Sequence, residues 1–265
     1  MADVHVSAYT AVDASGDPAH LAACMDIVSL CEGIDAGRRR VAGRLGLRPG
    51  AALLDLGCGP GDETRRLAAD LRPGGRAVGL DLSRAMIDEA RRRLAGTDLP
   101  VEFDTGDAQA LPFADATFDA CRTERMLIHV PDPRQALAEI VRVTRPGGRV
   151  GVIDVDMETV GFDSSDRALT RRVVASLTDS FQNGWIGRQL PRLLTEAGLT
   201  GLCVEPSVML FRPDVAAAVI DPHLALLVAD GEITAGAAAR WRAEVLDDAV
   251  APVTMTMVGV VGRKP

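Results

Sequence analysis

The sequence predicts an α/β fold in which helices cover a mostly parallel β-sheet. From about residue 51, short apolar runs alternate with helical patterns, which is typical of βα units. A glycine-rich turn at residues 57–61 directly follows the first of these runs. The composition agrees, because 47% of the residues are hydrophobic and only 3% are aromatic, so the core must be aliphatic. The 265 residues suffice for one such core with a small appended cap.

Five apolar runs, each bounded by glycine, proline or aspartate, predict the first five strands. They are residues 51–56, 77–80, 101–103, 118–121 and 150–155. Helical patterns fill the gaps between them, and we expect the third helix to end before Pro146-Gly147-Gly148. These helices are residues 62–70, 83–94 and 133–143. Further along, the pattern predicts a helix at 186–197 and strands at 202–211 and 253–261.

The remaining segments do not follow this alternation, and we interpret them as a helical cap over the sheet. Residues 1–48 are predicted to form an N-terminal helical lid that includes Tyr9, the only tyrosine. Residues 49–265 are predicted to form the main domain, with cap insertions at about 160–184 and 214–250. The second insertion is too long for a turn between neighbouring strands.

Charge and cysteine content exclude several classes of function. The formal charge of −8 provides no basic field for nucleic acid. We interpret the arginine clusters at residues 38–40 and 91–93 as solvated helix faces. Five cysteines without a C-x-x-C pair indicate neither a disulfide framework nor a zinc site. No targeting segment or long apolar run is present, so we expect a cytoplasmic chain without membrane insertion.

Three loops are predicted to meet at one edge of the sheet. Gly57, Gly59 and Gly61 allow a tight turn in which a ligand lies against the main chain. Asp81 ends the second strand, 24 residues after Gly57, where a carboxylate can accept both hydroxyls of a ribose. Asp107 follows the third strand and can accept from an adenine amino group. Because ligands bind beyond the carboxyl ends of parallel strands, these residues should converge on one nucleoside.

The residue at position 62 distinguishes between two kinds of nucleotide ligand. A dinucleotide-binding G-x-G-x-x-G turn would require glycine there, and this chain has Asp62. A carboxylate would repel a pyrophosphate. S-adenosylmethionine (SAM) carries no phosphate, and its sulfonium and ammonium groups are positive. The sequence therefore favours SAM, and a dinucleotide-dependent oxidoreductase is disfavoured.

The motifs together resemble those of class I SAM-dependent methyltransferases, in particular the ubiquinone/menaquinone C-methyltransferases and their small-molecule relatives. They are DLGCGPG at 55–61, Asp81 with Ser83, GDAQALPF at 106–113, Phe118-Asp119 and RPGG at 145–148. The resemblance is strong from about 50 to 155 and faint in the flanks. It implies a Rossmann-like, seven-stranded, mostly parallel sheet in the order 3-2-1-4-5-7-6, with strand 7 antiparallel.

The resemblance also implies the cofactor contacts. Asp81 would bind the ribose, Asp55 would reach the methionine ammonium, and the segment 123–124 would lie along the methionine portion. For Met86, adenine contact and core packing both stay open. The full set of implied cofactor residues is Asp55, Gly57, Gly59, Gly61, Asp81, Leu82, Met86, Asp107, Ala108, Thr123 and Glu124.

Methyl transfer mainly requires alignment of a nucleophile with the methyl group, and a base only when the nucleophile holds a proton. His129 is our candidate base and Glu124 the second, since both follow strand four; a structural role stays open for each. We expect no metal and interpret the carboxylates at 154, 156 and 158 as solvated. The predicted acceptor is a quinone-like molecule or secondary metabolite, with C-, O- and N-methylation all open. The alternative is a SAM-binding protein of this fold that catalyses a non-methylating reaction such as a cyclisation.

Overall fold

The computed structural model describes residues 12–14, 17–31, 33–247 and 253–265, and within them the central element is a seven-stranded sheet. Strands β1 to β5 are parallel, and β7 is antiparallel to both of its neighbours. The order β3-β2-β1-β4-β5-β7-β6 confirms the predicted topology. The strands are β1 (Ala52–Leu56), β2 (Arg76–Asp81), β3 (Val101–Thr105), β4 (Phe118–Glu124), β5 (Thr144–Gly161), β6 (Thr200–Phe211) and β7 (Val253–Arg263).

The helices cover both faces of this sheet and its carboxyl edge. They are α1 (Pro18–Ser29), α2 (Ile34–Leu45), α3 (Asp62–Ala68), α4 (Arg84–Leu94), α5 (Pro133–Val143), α6 (Arg167–Asp179), α7 (Ile186–Glu196), α8 (Pro213–Ala229) and α9 (Ala235–Val245). No helix among the described residues is long and apolar enough to cross a membrane. Helix α2, which lies within the predicted lid, packs directly on the sheet. Its Val41 is 2.6 Å from where a Cβ on Gly259 would be, so only glycine fits there.

Three strands continue past the carboxyl edge of the others. The β4–β5 pairing ends at Glu124 and Ile153, whereas β5 continues to Gly161 against β7, and β6 accompanies β7 to Phe211. We call residues 154–161, 206–211 and 253–258 the strand extension. Strand β5 also begins six residues earlier than the sequence predicts. Residues 144–149 belong to it because this end of the strand hydrogen-bonds to the carboxyl-terminal segment, with Gly147 and Gly148 bonded to Lys264.

Helices α6, α8 and α9 form a second small core beside the strand extension. Buried side chains from the two predicted insertions pack there around Trp241. The Trp241 indole N–H donates to Thr170 Oγ1 at 2.9 Å, and its ring lies 5.1 Å from that of Phe162. Phe162 directly follows the strand extension. The two insertions therefore contact each other and pack beside the strand extension.

Candidate functional site

A cavity of about 660 Å³ runs along the carboxyl edge of the sheet and divides into two chemically different halves. The loops after β1, β2 and β3 line what we call the loop half. The strand extension and helices α6 and α8 line the apolar half. Six residues representative of this apolar half are Met157, Phe162, Leu177, Met209, Val219 and Met255.

The structure brings most of the predicted site residues together in this cavity. Those that line it are Gly57, Gly59, Asp81, Leu82, Met86, Asp107, Ala108, Glu124 and His129. Asp55, Gly61 and Thr123 do not line it. Leu82 is 68% exposed at the rim, whereas Met86 is 2% exposed at the inner wall. Tyr9 lies outside the described residues.

Asp81 is held in place by the loops around it. Its Oδ2 accepts from the Gly59 N–H at 2.8 Å, and its Oδ1 accepts from the Ser83 N–H at 2.9 Å. Burial raises the pKa of Asp81, and these backbone N–H donors oppose that effect. Each carboxylate oxygen keeps a further lone pair for a ligand. Asp81 thus joins the glycine turn to the start of α4 and still presents acceptors to the cavity.

The predicted residues that do not reach the cavity have other structural roles. Gly61, at φ +77°, begins α3, and a Cβ there would lie 2.4 Å from Phe103. The Asp55 carboxylate accepts from Thr64 Oγ1 at 2.5 Å and from Arg122 Nη1 at 3.0 Å. Thr123 is buried within β4.

The described residues before α1 are fixed on the loop half. Asp13 accepts from Ser83 Oγ at 2.6 Å and from the N–H groups of Arg84 and Ala85 at 3.0 and 3.1 Å. It therefore caps the amino-terminal turn of α4. Its neighbour Val12 packs with Met86 and lines the cavity.

We expect Asp13→Ala to lower the free energy of unfolding by about 0.5–2 kcal/mol, the usual cost of a lost helix cap. Amide hydrogen exchange should also accelerate at residues 12–14 and in the first turn of α4. Asp13→Asn retains an acceptor oxygen and serves as the control. If exchange in both segments is the same in Asp13→Ala as in the wild type, Asp13 does not hold this segment.

A buried ionic network that the sequence analysis missed lies beside the cavity. Arg122, only 3% exposed, donates to Asp55 and, at 2.7 Å, to Glu124. Arg38 of α2 donates to both Glu124 oxygens at 2.7 to 2.9 Å. The interpretation of Arg38 as a solvated residue is therefore wrong, because its side chain is 15% exposed and paired. The available signal in the sequence was Arg122 itself, which directly follows the fourth predicted strand. A buried arginine requires an acidic partner.

The cluster at residues 91–93 also contains one arginine with a structural role. The side chain of Arg93 is 18% exposed and forms ion pairs with Asp26 of α1 and with Asp62 and Glu89. It thereby joins α1 to the amino-terminal turn of α3. Asp62 pairs with Arg65 as well, so its charge is compensated. Arg93 is thus not part of a solvated face.

The two candidate bases have pKa values far below neutrality. Burial opposes ionisation of Glu124, but the guanidiniums of Arg125, Arg38 and Arg122 outweigh it and hold the pKa of Glu124 at about 2. Burial, followed by the charge of Arg125, lowers the pKa of His129 to about 4. The His129 ring lies 5.9 Å from the ring of Phe181. At neutral pH, Glu124 is an ionised, fully paired carboxylate and His129 is a neutral imidazole.

The acidic residues on β5 are engaged by the protein itself. Arg188 donates to Asp156 at 2.6 Å and to Glu158 at 2.7 Å, while Asp154 is buried and accepts from the Ile128 and Val155 N–H groups. The interpretation of these carboxylates as solvated is therefore wrong for Asp154 and Asp156, which are buried, and Glu158 is paired with Arg188. In the part of the chain that the structure describes, no group of three or more histidine, cysteine or acidic residues is placed to hold a metal ion.

Comparison with known proteins shows what the central part of the chain is similar to. A family model described as a methyltransferase domain matches residues 54–152, from within β1 to the first part of β5. The chain is 37% identical over 124 residues to demethylmenaquinone methyltransferase of Lactobacillus johnsonii, covering 46% of this chain and 51% of that enzyme. Residues 54–152 therefore form a methyltransferase domain similar to those of SAM-dependent enzymes.

Two further similarities extend beyond the methyltransferase domain. The chain is 42% identical over 205 residues to an uncharacterized 37.1 kDa transposon protein of Streptomyces fradiae, covering 74% of this chain and 58% of that protein. The crystal structure of the cyclase SpnF superposes with a TM-score of 0.57 at 27% identity, covering 88% of this chain and 81% of that chain. The chain spans between half and three-fifths of the length of the curated relatives named here.

The charges of the loop half fit the cofactor of SAM-dependent methyltransferases. Asp81 and Asp107 line the cavity, and their negative charges suit a ligand with a sulfonium and an ammonium group. The same carboxylates would repel a phosphorylated ligand. Asp107 lies at the exposed rim, and its Oδ1 accepts from the Gln109 N–H at 2.8 Å, leaving Oδ2 for a ligand.

Proposed function

We propose that the protein binds SAM in the loop half of the cavity and methylates an apolar small molecule held in the apolar half. The observation that carries this proposal is the continuity of the cavity, in which an acidic, glycine-lined half opens directly into an apolar half. Methyl transfer requires the two reactants to be held end to end. A single cavity with two chemically distinct halves supports that arrangement.

The cofactor would be held mainly by residues that the sequence analysis named. SAM supplies a methyl group on a positively charged sulfur when it is bound. Asp81 would accept from the ribose hydroxyls, Asp107 from the adenine amino group, and Met86 with Ala108 would contact the adenine faces. Gly57 and Gly59 allow a ligand to lie against the main chain.

The apolar half indicates the class of acceptor. Its walls are mostly aliphatic and aromatic side chains, and six methionines are among the residues that line the whole cavity. Methionine side chains are flexible and polarizable, so they adapt to irregular apolar shapes. We infer a largely apolar acceptor with its reacting atom towards the loop half, where the polar groups lie. A quinone-like molecule or an apolar secondary metabolite meets this description.

The chemistry would depend on positioning more than on a strong base. The carboxylate of Glu124 is fully occupied by arginines, and the imidazole of His129 is a weak base with a pKa of about 4. Each would remove a proton only from an acceptor that is itself acidic. The burial of the reacting region and the alignment of the two ligands would then account for most of the rate.

We expect the pH dependence of turnover to show no contribution from His129 between about pH 5.5 and 8. Its pKa is lowered, so the imidazole is already deprotonated above about pH 5 and its charge does not change in this window. His129→Ala and His129→Gln should retain the shape of the wild-type profile. A limb near pH 6.5 that is present in the wild type and absent from both variants would contradict this expectation.

The proposed function is tested by incubating the protein with SAM labelled in its methyl group and a panel of apolar acceptors that bear hydroxyl, amine or activated carbon nucleophiles. Label should move to at least one acceptor with equal formation of S-adenosylhomocysteine. Denatured protein is the control for spontaneous transfer. If the protein does not bind SAM or S-adenosylhomocysteine in calorimetry, the proposal fails at the cofactor.

A second candidate function is a cyclisation in which SAM is bound without transfer of its methyl group. Two observations support this candidate. The fold is similar to that of the cyclase SpnF, and neither candidate base, Glu124 or His129, is a strong base. The two candidates give different products. A cyclase would convert its substrate to an isomer of equal mass and form no S-adenosylhomocysteine, whereas a methyltransferase would add the mass of a methylene group.

A further inference from the structure

Arg125 differs from the other arginines around the site in its backbone and in its surroundings. It follows β4 directly and has φ +51°, a left-handed conformation that is uncommon for a residue other than glycine. Its N–H donates to the Ile153 carbonyl at 2.8 Å, which fixes this conformation. Strained residues of this kind are found preferentially at ligand sites. Arg125 lines the cavity, as do its neighbours Glu124 and Met126.

The neighbouring carboxylate has little capacity left for Arg125. Glu124 Oε1 accepts from Arg38 at 2.9 and 2.7 Å, and Oε2 accepts from Arg38 at 2.8 Å and from Arg122 at 2.7 Å. Arg125 Nε is 3.4 Å from Oε1, is buried and has no hydrogen-bond partner. Nε has no exposed surface, whereas the side chain as a whole is 21% exposed, so a ligand in the cavity would bind through the other N–H groups of the guanidinium.

Arg125 is one of three guanidiniums in the ionic network around Glu124, and the other two, Arg38 and Arg122, do not line the cavity. The charge of Arg125 also acts on the buried Asp154, whose carboxylate accepts from backbone N–H groups instead. Arg125 is also the only arginine or lysine among the described residues that line the cavity. Residues 1–11, 15–16, 32 and 248–252, which lie outside the description, contain neither residue type. The cavity therefore offers a single positive side chain.

The glycine turn offers few alternative donors. The Gly59 N–H donates to Asp81, the Cys58 N–H to the Leu80 carbonyl, and the Gly61 N–H to the Cys58 carbonyl. These amides are therefore already satisfied. The acidic lining residues would repel a carboxylate rather than bind it. An anionic group that enters the cavity has Arg125 as its favourable partner.

We propose that Arg125 binds the carboxylate of the methionine portion of SAM. This inference rests on the proposed function, because SAM brings one carboxylate into a cavity whose lining has one matching cation. A guanidinium suits this role, since its N–H groups form a planar fork that matches carboxylate geometry. Arg125 is a cofactor-positioning residue in this assignment. It fixes the methionine end of SAM within the cavity.

The test compares two ligands that differ only in the carboxylate. Calorimetry measures Kd for S-adenosylhomocysteine and for its decarboxylated analogue, in which hydrogen replaces the carboxylate. The wild type should prefer S-adenosylhomocysteine by about 10- to 100-fold, the range for hydrogen bonds to a charged group. In Arg125→Met this preference should fall to near 1, while the affinity for the decarboxylated analogue stays close to that of the wild type. Arg125→Lys should retain part of the preference because it keeps the charge.

Arg134→Met is the matched control, since Arg134 forms an exposed pair with Glu196, outside the cavity. It should leave both affinities unchanged. The inference is overturned if the wild type binds both ligands equally, a result that does not depend on the folding of any variant. It is also overturned if Arg125→Met weakens both ligands equally or leaves both unchanged and lowers turnover alone. Failure of the wild type to bind S-adenosylhomocysteine would instead contradict the proposed function.

Discussion

Asp81→Ala should weaken binding of S-adenosylhomocysteine by about 10- to 100-fold, corresponding to about 1–3 kcal/mol. The carboxylate would lose its bonds to the ribose hydroxyls, and the Gly59 and Ser83 N–H groups would lose their acceptor. Two loops that line the cavity would be loosened together. Calorimetry with wild type and variant at one pH measures the change in Kd.

Asp81→Asn separates the two effects. This variant keeps an acceptor oxygen for one backbone N–H, but it loses the charge and the second acceptor oxygen. Its affinity for S-adenosylhomocysteine should therefore lie between those of the wild type and Asp81→Ala. Asp104→Ala, at an exposed position near the end of β3, is the control and should bind like the wild type. Unchanged affinity in a folded Asp81→Ala protein would contradict the ribose assignment.

Arg122→Leu should lower the free energy of unfolding by about 3–5 kcal/mol, because removal of one partner leaves buried charges uncompensated. Arg122 is 3% exposed, and its two partners, Asp55 and Glu124, are also buried. Leucine fills part of the volume but neutralises neither carboxylate. Urea unfolding monitored by circular dichroism measures the difference.

The pH dependence of the loss in unfolding free energy shows whether it comes from lost charge compensation or from lost packing. Burial already raises the pKa of Asp55 against the charge of Arg122, and without Arg122 this pKa should rise further, whereas Glu124 keeps Arg125 and Arg38. A raised carboxylate pKa gives stability that is present at low pH and lost as the pH rises through it, so the deficit of the variant should shrink from pH 8 to pH 5. Arg134→Leu breaks an exposed pair and should cost only about 0–1 kcal/mol at either pH. A deficit independent of pH would indicate lost packing instead of lost charge compensation.

The elements with strong local signals could be predicted from the sequence. Helix α5 is predicted at residues 133–143 and is found at Pro133–Val143, because Asp132 caps it and Pro133 is its first residue. The sheet order follows from the family resemblance carried by local motifs, and the structure confirms it. The position of Asp81 and Asp107 at the cavity follows from the rule that ligands bind beyond the carboxyl ends of parallel strands.

Features that depend on distant partners could not be predicted in this way. Arg38 and Glu124 are 86 positions apart, so an arginine in a run of three gave no indication of its carboxylate. Residues 156–161 of β5 include acidic residues and glycine, which are uncommon in strands, and only their pairing with β7 makes them extended. Asp55 matched the family motif, but its carboxylate accepts from Thr64 and Arg122 and does not line the cavity.

The strand extension separates, along the sequence, the residues that line the two halves of the cavity. The loop half is built by residues 56–109 with a contribution from the first helices, whereas the apolar half is built largely by residues 155–255. Substitutions that accumulate in the later stretch leave the hydrogen bonds around Asp81 untouched. If the proposed function holds, a change of acceptor would require substitutions in only one continuous part of the sequence. Exchange of residues 154–258 between relatives should therefore transfer acceptor preference while the recipient keeps its own affinity for the cofactor.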